Sequence, residues 1–61
     1  MKLKEARIQA GLSVVDVMRS LKVSDAAVYM WENGKTHPKL ANLQRLAKLY
    51  GRSVDELIED E

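Results

Sequence analysis

The chain has 61 residues, 46% of them hydrophobic and 31% charged, which fits one small globular domain and excludes a disordered segment. It contains no cysteine, so neither a disulfide nor a thiolate metal site supports the thin core of so short a chain, and helix packing must hold it. Lys and Arg number 10 against 9 Asp and Glu, for a net charge of +1; global charge therefore announces no acidic or basic partner.

The charge is nevertheless unevenly spread. Residues 55–61 carry five of the nine acids, leaving ten bases against four acids in residues 1–54. No apolar run is long enough to span a membrane. With no cysteine and no signal-peptide pattern, the chain reads as cytoplasmic.

Turn signals at Gly11, Lys22-Val23-Ser24, Asn33-Gly34 through Pro38, and Gly51 divide the chain. Between them apolar residues recur at spacings of three and four, the helical period. The expected architecture is all-α, with five short helices in one domain over residues 1–61. The first runs over residues 2–10, lined by Leu3, Ala6 and Ala10 and stopped by Gly11. Ser13 with Asp16 three residues on is a short capping box for the second, over 14–21, whose inner stripe is Val17, Met18 and Leu21.

Ser24 is the N-cap of the third helix, 25–33, with Ala27, Val28 and Trp31 inward and Asn33-Gly34 as its exit. Pro38 suits a helix start, so the fourth runs over 39–50, with Leu40, Leu43, Leu46, Ala47 and Tyr50 as its stripe and Gly51 as its stop. Ser53 and Glu56 form a further capping box for the last, 54–60, which turns Val54, Leu57 and Ile58 inward.

Helices two and three, each about two turns long and joined by three or four residues, have the geometry of a helix-turn-helix. The strings Arg7-Ile8-Gln9-Ala10-Gly11-Leu12-Ser13, Leu21-Lys22-Val23-Ser24 and Trp31-Glu32-Asn33-Gly34-Lys35, followed by Pro38, resemble the lambda/434 repressor and Cro family of phage and prophage (XRE-type) transcriptional regulators. The resemblance continues through Leu46-Ala47-Lys48-Leu49-Tyr50-Gly51 and Ser53-Val54-Asp55-Glu56-Leu57. It implies a lambda repressor-like DNA-binding domain with the third helix in the major groove of double-stranded DNA.

On that resemblance the base-reading positions are Ser24, Asp25, Ala26, Tyr29 and Met30, and Arg7 pairs with Glu32 in a largely buried ion pair. Phosphate contacts fall to Lys22, Asn33, Lys35, Thr36 and Lys39, with Arg19 and Arg45 as further candidates. The segment around Arg52, Val54 and Leu57 becomes the interface of a weak homodimer on a palindromic operator. The implied function is that of a regulator, as a repressor.

The sequence departs from the family at the points where DNA is read. Val14 stands where the family commonly has glutamine, Met18 where it has alanine, and Lys22 where the turn has glycine. The third helix lacks the arginine, lysine, glutamine and asparagine that make bidentate contacts to purines. Asp25 suits a cytosine amino group or merely the positive end of its helix, and Ala26 suits a thymine methyl. The apolar set Ile8, Val14, Val15, Tyr29 and Met30 supports an alternative reading, a protein-binding module such as an antirepressor-like partner or antitoxin component.

Nothing in the sequence suggests an enzyme, a cofactor or a metal. There is no acid pair, ligand cluster or glycine-rich phosphate loop, and His37 is a lone loop histidine. Ser13 and Ser24 are expected as caps rather than nucleophiles.

Overall fold

The computed structural model describes residues 1–59. Its five helices are α1 (Leu3–Gln9), α2 (Val14–Leu21), α3 (Asp25–Glu32), α4 (Leu40–Tyr50) and α5 (Val54–Ile58). The α4 helix packs on α1, α2 and α5, while α3 rests on α1 and α2. Among the described residues there is no strand, and no helix is long and apolar enough to cross a membrane.

Local chemistry sets the helix starts. Ser13 Oγ accepts the Asp16 N–H at 3.1 Å while Asp16 accepts the Ser13 N–H at 2.8 Å. The reciprocal bonds recur between Ser53 and Glu56, both at 3.1 Å. Each closes two of the orphan donors of a helix N-terminus. Ser24 Oγ accepts the Ala27 N–H at 3.2 Å and opens α3. The start of α4 has no such side-chain cap; Lys39 precedes it, and Pro38, one residue earlier, is buried.

One device ends the first four helices. A residue with left-handed backbone follows each of them: Gly11, Lys22, Gly34 and Gly51. The next residue then donates its N–H to the carbonyl five positions back, linking Leu12 to Arg7, Val23 to Met18, Lys35 to Met30 and Arg52 to Ala47. This is the six-to-one bond of a Schellman exit. Three of the four exits use glycine, which adopts this backbone freely. Lys22, with φ 56°, has a Cβ to accommodate and is strained by about 1–2 kcal/mol.

The core comprises Leu3, Ala6, Val17, Leu21, Val28, Trp31, Leu43, Leu46, Ala47, Tyr50 and Leu57. Leu46 and Leu57 are fully covered, and truncating either to alanine costs about 2–5 kcal/mol. The α5 helix is drawn in by more than Leu57: the Lys2 N–H donates to the Leu57 carbonyl at 2.8 Å, and Lys2 Nζ lies 3.8 Å from a Glu59 carboxylate oxygen.

Several expectations are corrected. The first helix is shorter at both ends than residues 2–10, so Ala10 falls in the turn and is exposed. The third stops at Glu32, with Asn33 as its C-cap, and the fourth starts at Leu40 after Lys39. The last ends at Ile58 because Glu59 is extended (φ −59°, ψ 140°); residue 60, the expected end, lies outside the described residues.

Leu40 has the right spacing for the α4 stripe but is 65% exposed, at the first residue of the helix, where the rest of the fold does not cover it. Ile58 is 44% exposed, since only Leu57 of the last turn reaches the interior. Val14 is half-buried against the core and belongs with it rather than with the exposed apolar set.

Candidate nucleic-acid interface

The α2–turn–α3 unit is tied to α1 by an ion pair. Arg7 Nε donates to Glu32 Oε2 at 2.7 Å and Arg7 Nη2 to Glu32 Oε1 at 3.2 Å, a two-point contact between residues 25 apart in sequence. A third donor, Arg7 Nη1, reaches the Leu12 carbonyl at 3.0 Å. Side-chain exposures of 12% for Arg7 and 5% for Glu32 put the pair largely out of water. Bidentate geometry and partial burial make such contacts strong. The hydrogen bond to Glu32 pushes the Arg7 pKa up despite the opposing cost of burial, so its charge is secure.

Sequence reasoning missed the Leu12 carbonyl and the closeness of Tyr50. The first was signalled by Gly11: its left-handed turn bonds Leu12 N–H to the Arg7 carbonyl at 3.1 Å and brings Leu12 back over the end of α1. The buried Tyr50 phenol has its pKa pushed up to about 12, first by burial and then by the charge of Glu32, with Arg7 pulling the other way.

The α3 helix divides lengthwise. Val28 and Trp31 are buried and Ala27 half-buried, whereas Ser24, Asp25, Ala26, Tyr29 and Met30 are exposed. Tyr29 and Met30 remain 50% and 40% accessible. The structure thus brings the five expected base-reading residues onto one outward surface. Asp25 Oδ1 accepts the Ala26 N–H at 2.8 Å, so its carboxylate does answer the positive end of its own helix.

The expected phosphate-contacting residues lie before and after α3 in the chain. Lys22 occupies the turn before α3 and is exposed. After α3, the Lys35 N–H at 3.0 Å and the Thr36 N–H at 3.4 Å both donate to the Met30 carbonyl. This folds the segment 33–36 back on the end of α3 and fixes where Lys35 begins. Asn33, Lys35, Thr36 and Lys39 are all exposed, as are Arg19 and Arg45. His37 is exposed in the same loop.

The expected dimer segment is altered. Leu57 is fully buried in its own domain and offers no surface to a second copy. Arg52 and Val54 are half-buried, and Ile58 is the large apolar side chain that α5 exposes. In the apolar set behind the protein-binding alternative, Ile8, Val15, Tyr29 and Met30 are exposed, but Val14 is not.

Relatives are similar in sequence along nearly the whole chain. The chain is 36% identical over 58 residues to the HTH-type transcriptional regulator DdrOP3 of Deinococcus deserti, covering 95% of this chain and 45% of that protein. It is 32% identical over 60 residues to the HTH-type transcriptional activator BcrR of Enterococcus faecalis, covering 98% and 29%. It is 30% identical over 59 residues to the cryptic phage CTXphi transcriptional repressor RstR of Vibrio cholerae, covering 97% and 53%. The chain therefore spans about half or less of the length of these relatives. No solved structure gives a significant match. The helix-turn-helix family model matches residues 3–57, nearly the whole described length. By that match, and by relatives that are regulators rather than enzymes, the chain belongs to the helix-turn-helix family.

Proposed function

We propose that this domain is a cytoplasmic, sequence-specific binder of double-stranded DNA acting in transcription regulation as a repressor, with α3 in the major groove. The observation that carries the reading is the outward surface of α3, bordered by Lys22 before it and by Lys35 and Thr36 after it, in a chain of the helix-turn-helix family. Ser24, Asp25, Ala26, Tyr29 and Met30 meet base edges. Lys22, Asn33, Lys35, Thr36 and Lys39 hold the phosphates on either side, which sets register without carrying sequence information.

One module of this kind buries only about 600–1,000 Å² on DNA. Two copies on half-sites about 34–36 Å apart supply the rest of the affinity, so the partner is a palindromic operator. The second copy docks weakly at the α5 end through Arg52, Val54 and the exposed Ile58. Repression follows from occupancy of a promoter; the RstR relative carries that role in its name and BcrR the opposite one, so a promoter fusion reads the sign directly.

The test is selection of duplexes from a random pool, then titration of the enriched duplex at several salt concentrations. Affinity is expected to fall steeply with salt, with a log–log slope of about −0.9 per phosphate contacted. Lys35→Ala is expected to weaken all duplexes alike and make that slope shallower by about 1. Affinity that ignores both salt and duplex sequence overturns the proposal.

A further inference from the structure

We infer that the reading surface selects a thymine methyl under Ala26 and Met30 and a base amino group under Asp25, and disfavours guanine on the strand that Asp25 faces. This rests on the DNA-binding proposal above and names the chemistry it reads. From Ser24 to Glu32 no exposed side chain carries a nitrogen donor, because the one nitrogen-bearing side chain, Trp31, is buried. What faces outward is a hydroxyl, a carboxylate, a methyl, a phenol and a thioether.

Guanine presents two acceptors, O6 and N7, to the major groove, and its commonest specific contact is a bidentate one from Arg or Lys. Opposite Asp25 it meets an acceptor. Asp25 is also held in place: Oδ1 is engaged by the Ala26 N–H at 2.8 Å, which leaves Oδ2 to accept from cytosine N4 or adenine N6. The hydroxyls of Ser24 and Tyr29 are single donors and cannot span O6 and N7 together. Ser24 Oγ is moreover occupied as an acceptor by the Ala27 N–H at 3.2 Å.

Ala26 and Met30 are four residues apart, hence one above the other on the helix surface, and both are exposed. Together they form an apolar strip beside the carboxylate. Among the bases only thymine offers a matching group, its 5-methyl. The flexible thioether of Met30 can close over that methyl without a fixed rotamer. The strip therefore supplies preference for thymine, and Asp25 supplies the penalty against guanine.

The experiment uses the whole chain and the duplex enriched from a random pool, with deoxyuridine replacing thymidine one position at a time. That change removes the methyl and keeps every hydrogen-bonding group. Binding is expected to weaken about fourfold at the thymines under Ala26 and Met30, the equivalent of about 0.8 kcal/mol for one buried methyl. Met30→Ala, at a half-exposed position where folding is kept, should bring the thymidine-to-deoxyuridine ratio toward one. Repeating the selection with Asp25→Asn, which adds a donor of the same shape, should admit a purine N7 beside the α3 start and lift the exclusion of guanine. Guanine enriched at the position that Asp25 faces, or equal binding of thymidine and deoxyuridine duplexes at every position, overturns the inference and leaves DNA binding standing. Failure of any duplex to enrich overturns both.

Discussion

The two sides of α3 meet different surroundings. Inward, Val28 and Trp31 are buried and Glu32 closes on Arg7 at 2.7 Å. Outward, Tyr29 and Met30 are half-exposed, and Asp25 bonds only to its own helix. The inward residues follow the family pattern, whereas the outward ones abandon the usual polar readers. The contrast shows that eight residues carry two nearly independent specifications. Packing constrains one side through volume and charge pairing, and on the proposed function DNA constrains the other through donors, acceptors and methyl groups. Because successive positions point in different directions, either side can change while the other stays fixed.

The largest blow to that division comes from the inward side. Glu32→Gln keeps the shape but leaves the Arg7 guanidinium without its counter-charge in a mostly covered site, at a cost of about 3 kcal/mol. A small core seldom holds more than about 3–5 kcal/mol in all, so urea unfolding should show most of the stability gone. Replacing both partners by apolar residues, Arg7→Met with Glu32→Leu, should restore much of it. If Glu32→Gln stays within about 0.5 kcal/mol of the parent, the pair behaves as a surface one and the inward side owes it little.

Next in size is an alkaline transition at the same seam. The folded Tyr50 pKa, about 12, lies above its ordinary value of 10.0. A raised pKa contributes stability that is complete below pH 10 and lost as pH rises through 12. The loss over that window is of the order of 2 kcal/mol for a phenol so well buried. In a Tyr29→Phe background, phenolate absorbance reports Tyr50 alone and should rise together with unfolding monitored at Trp31. Tyr50→Phe should move the alkaline unfolding upward in pH. An unchanged transition would show that the phenol sits outside the seam in energetic terms.

The smallest effect sharpens the comparison most, because it acts on stability and binding in opposite directions. Lys22→Gly removes a Cβ from left-handed backbone and should raise stability by up to about 1 kcal/mol, part of the relief being returned as unfolded-chain entropy. In a domain of this size that is a rise in Tm of about 4–8 °C for a full kcal/mol. The same change deletes a cation beside the reading surface, so DNA affinity should fall and the salt slope should flatten by about 1. Parallel movement of Tm and affinity would mean that the turn serves the scaffold alone.

What was legible in the sequence has a short physical range. The capping boxes at Ser13-Asp16 and Ser53-Glu56 join groups three residues apart, and the left-handed exits at Gly11, Gly34 and Gly51 bond across five. Such interactions involve only nearby residues, so composition at a few positions determines them, and with them the five-helix count. The carboxylate of Asp16, held below its usual range first by the Ser13 amide and then by its hydroxyl, belongs to the same local class, as does that of Glu56 with Ser53.

Coverage was less legible. Val14 and Val15 are adjacent and alike, yet Val14 packs on the core and Val15 faces out. Leu40 and Ile58 have helical spacing but lie where no other element covers them, while Leu57, read both as an inward residue and as a contact between two copies, is fully buried and fits only the first reading. The outward residues of α3 could be named from the resemblance, but their freedom to meet DNA depended on what the other four helices left uncovered.

By itself, then, the sequence determined the five helices and their capping and turn residues to within a residue or two, and that α3 lacks the usual polar readers. Only the tertiary structure decided which apolar side chains are buried, that Arg7 closes on Glu32 across 25 residues, and that Asp25 is bound to its own helix. The reason is one of range. Caps and turns are settled by neighbours in the chain, whereas burial and ion pairing are settled by neighbours in space, which exist only once the helices have packed.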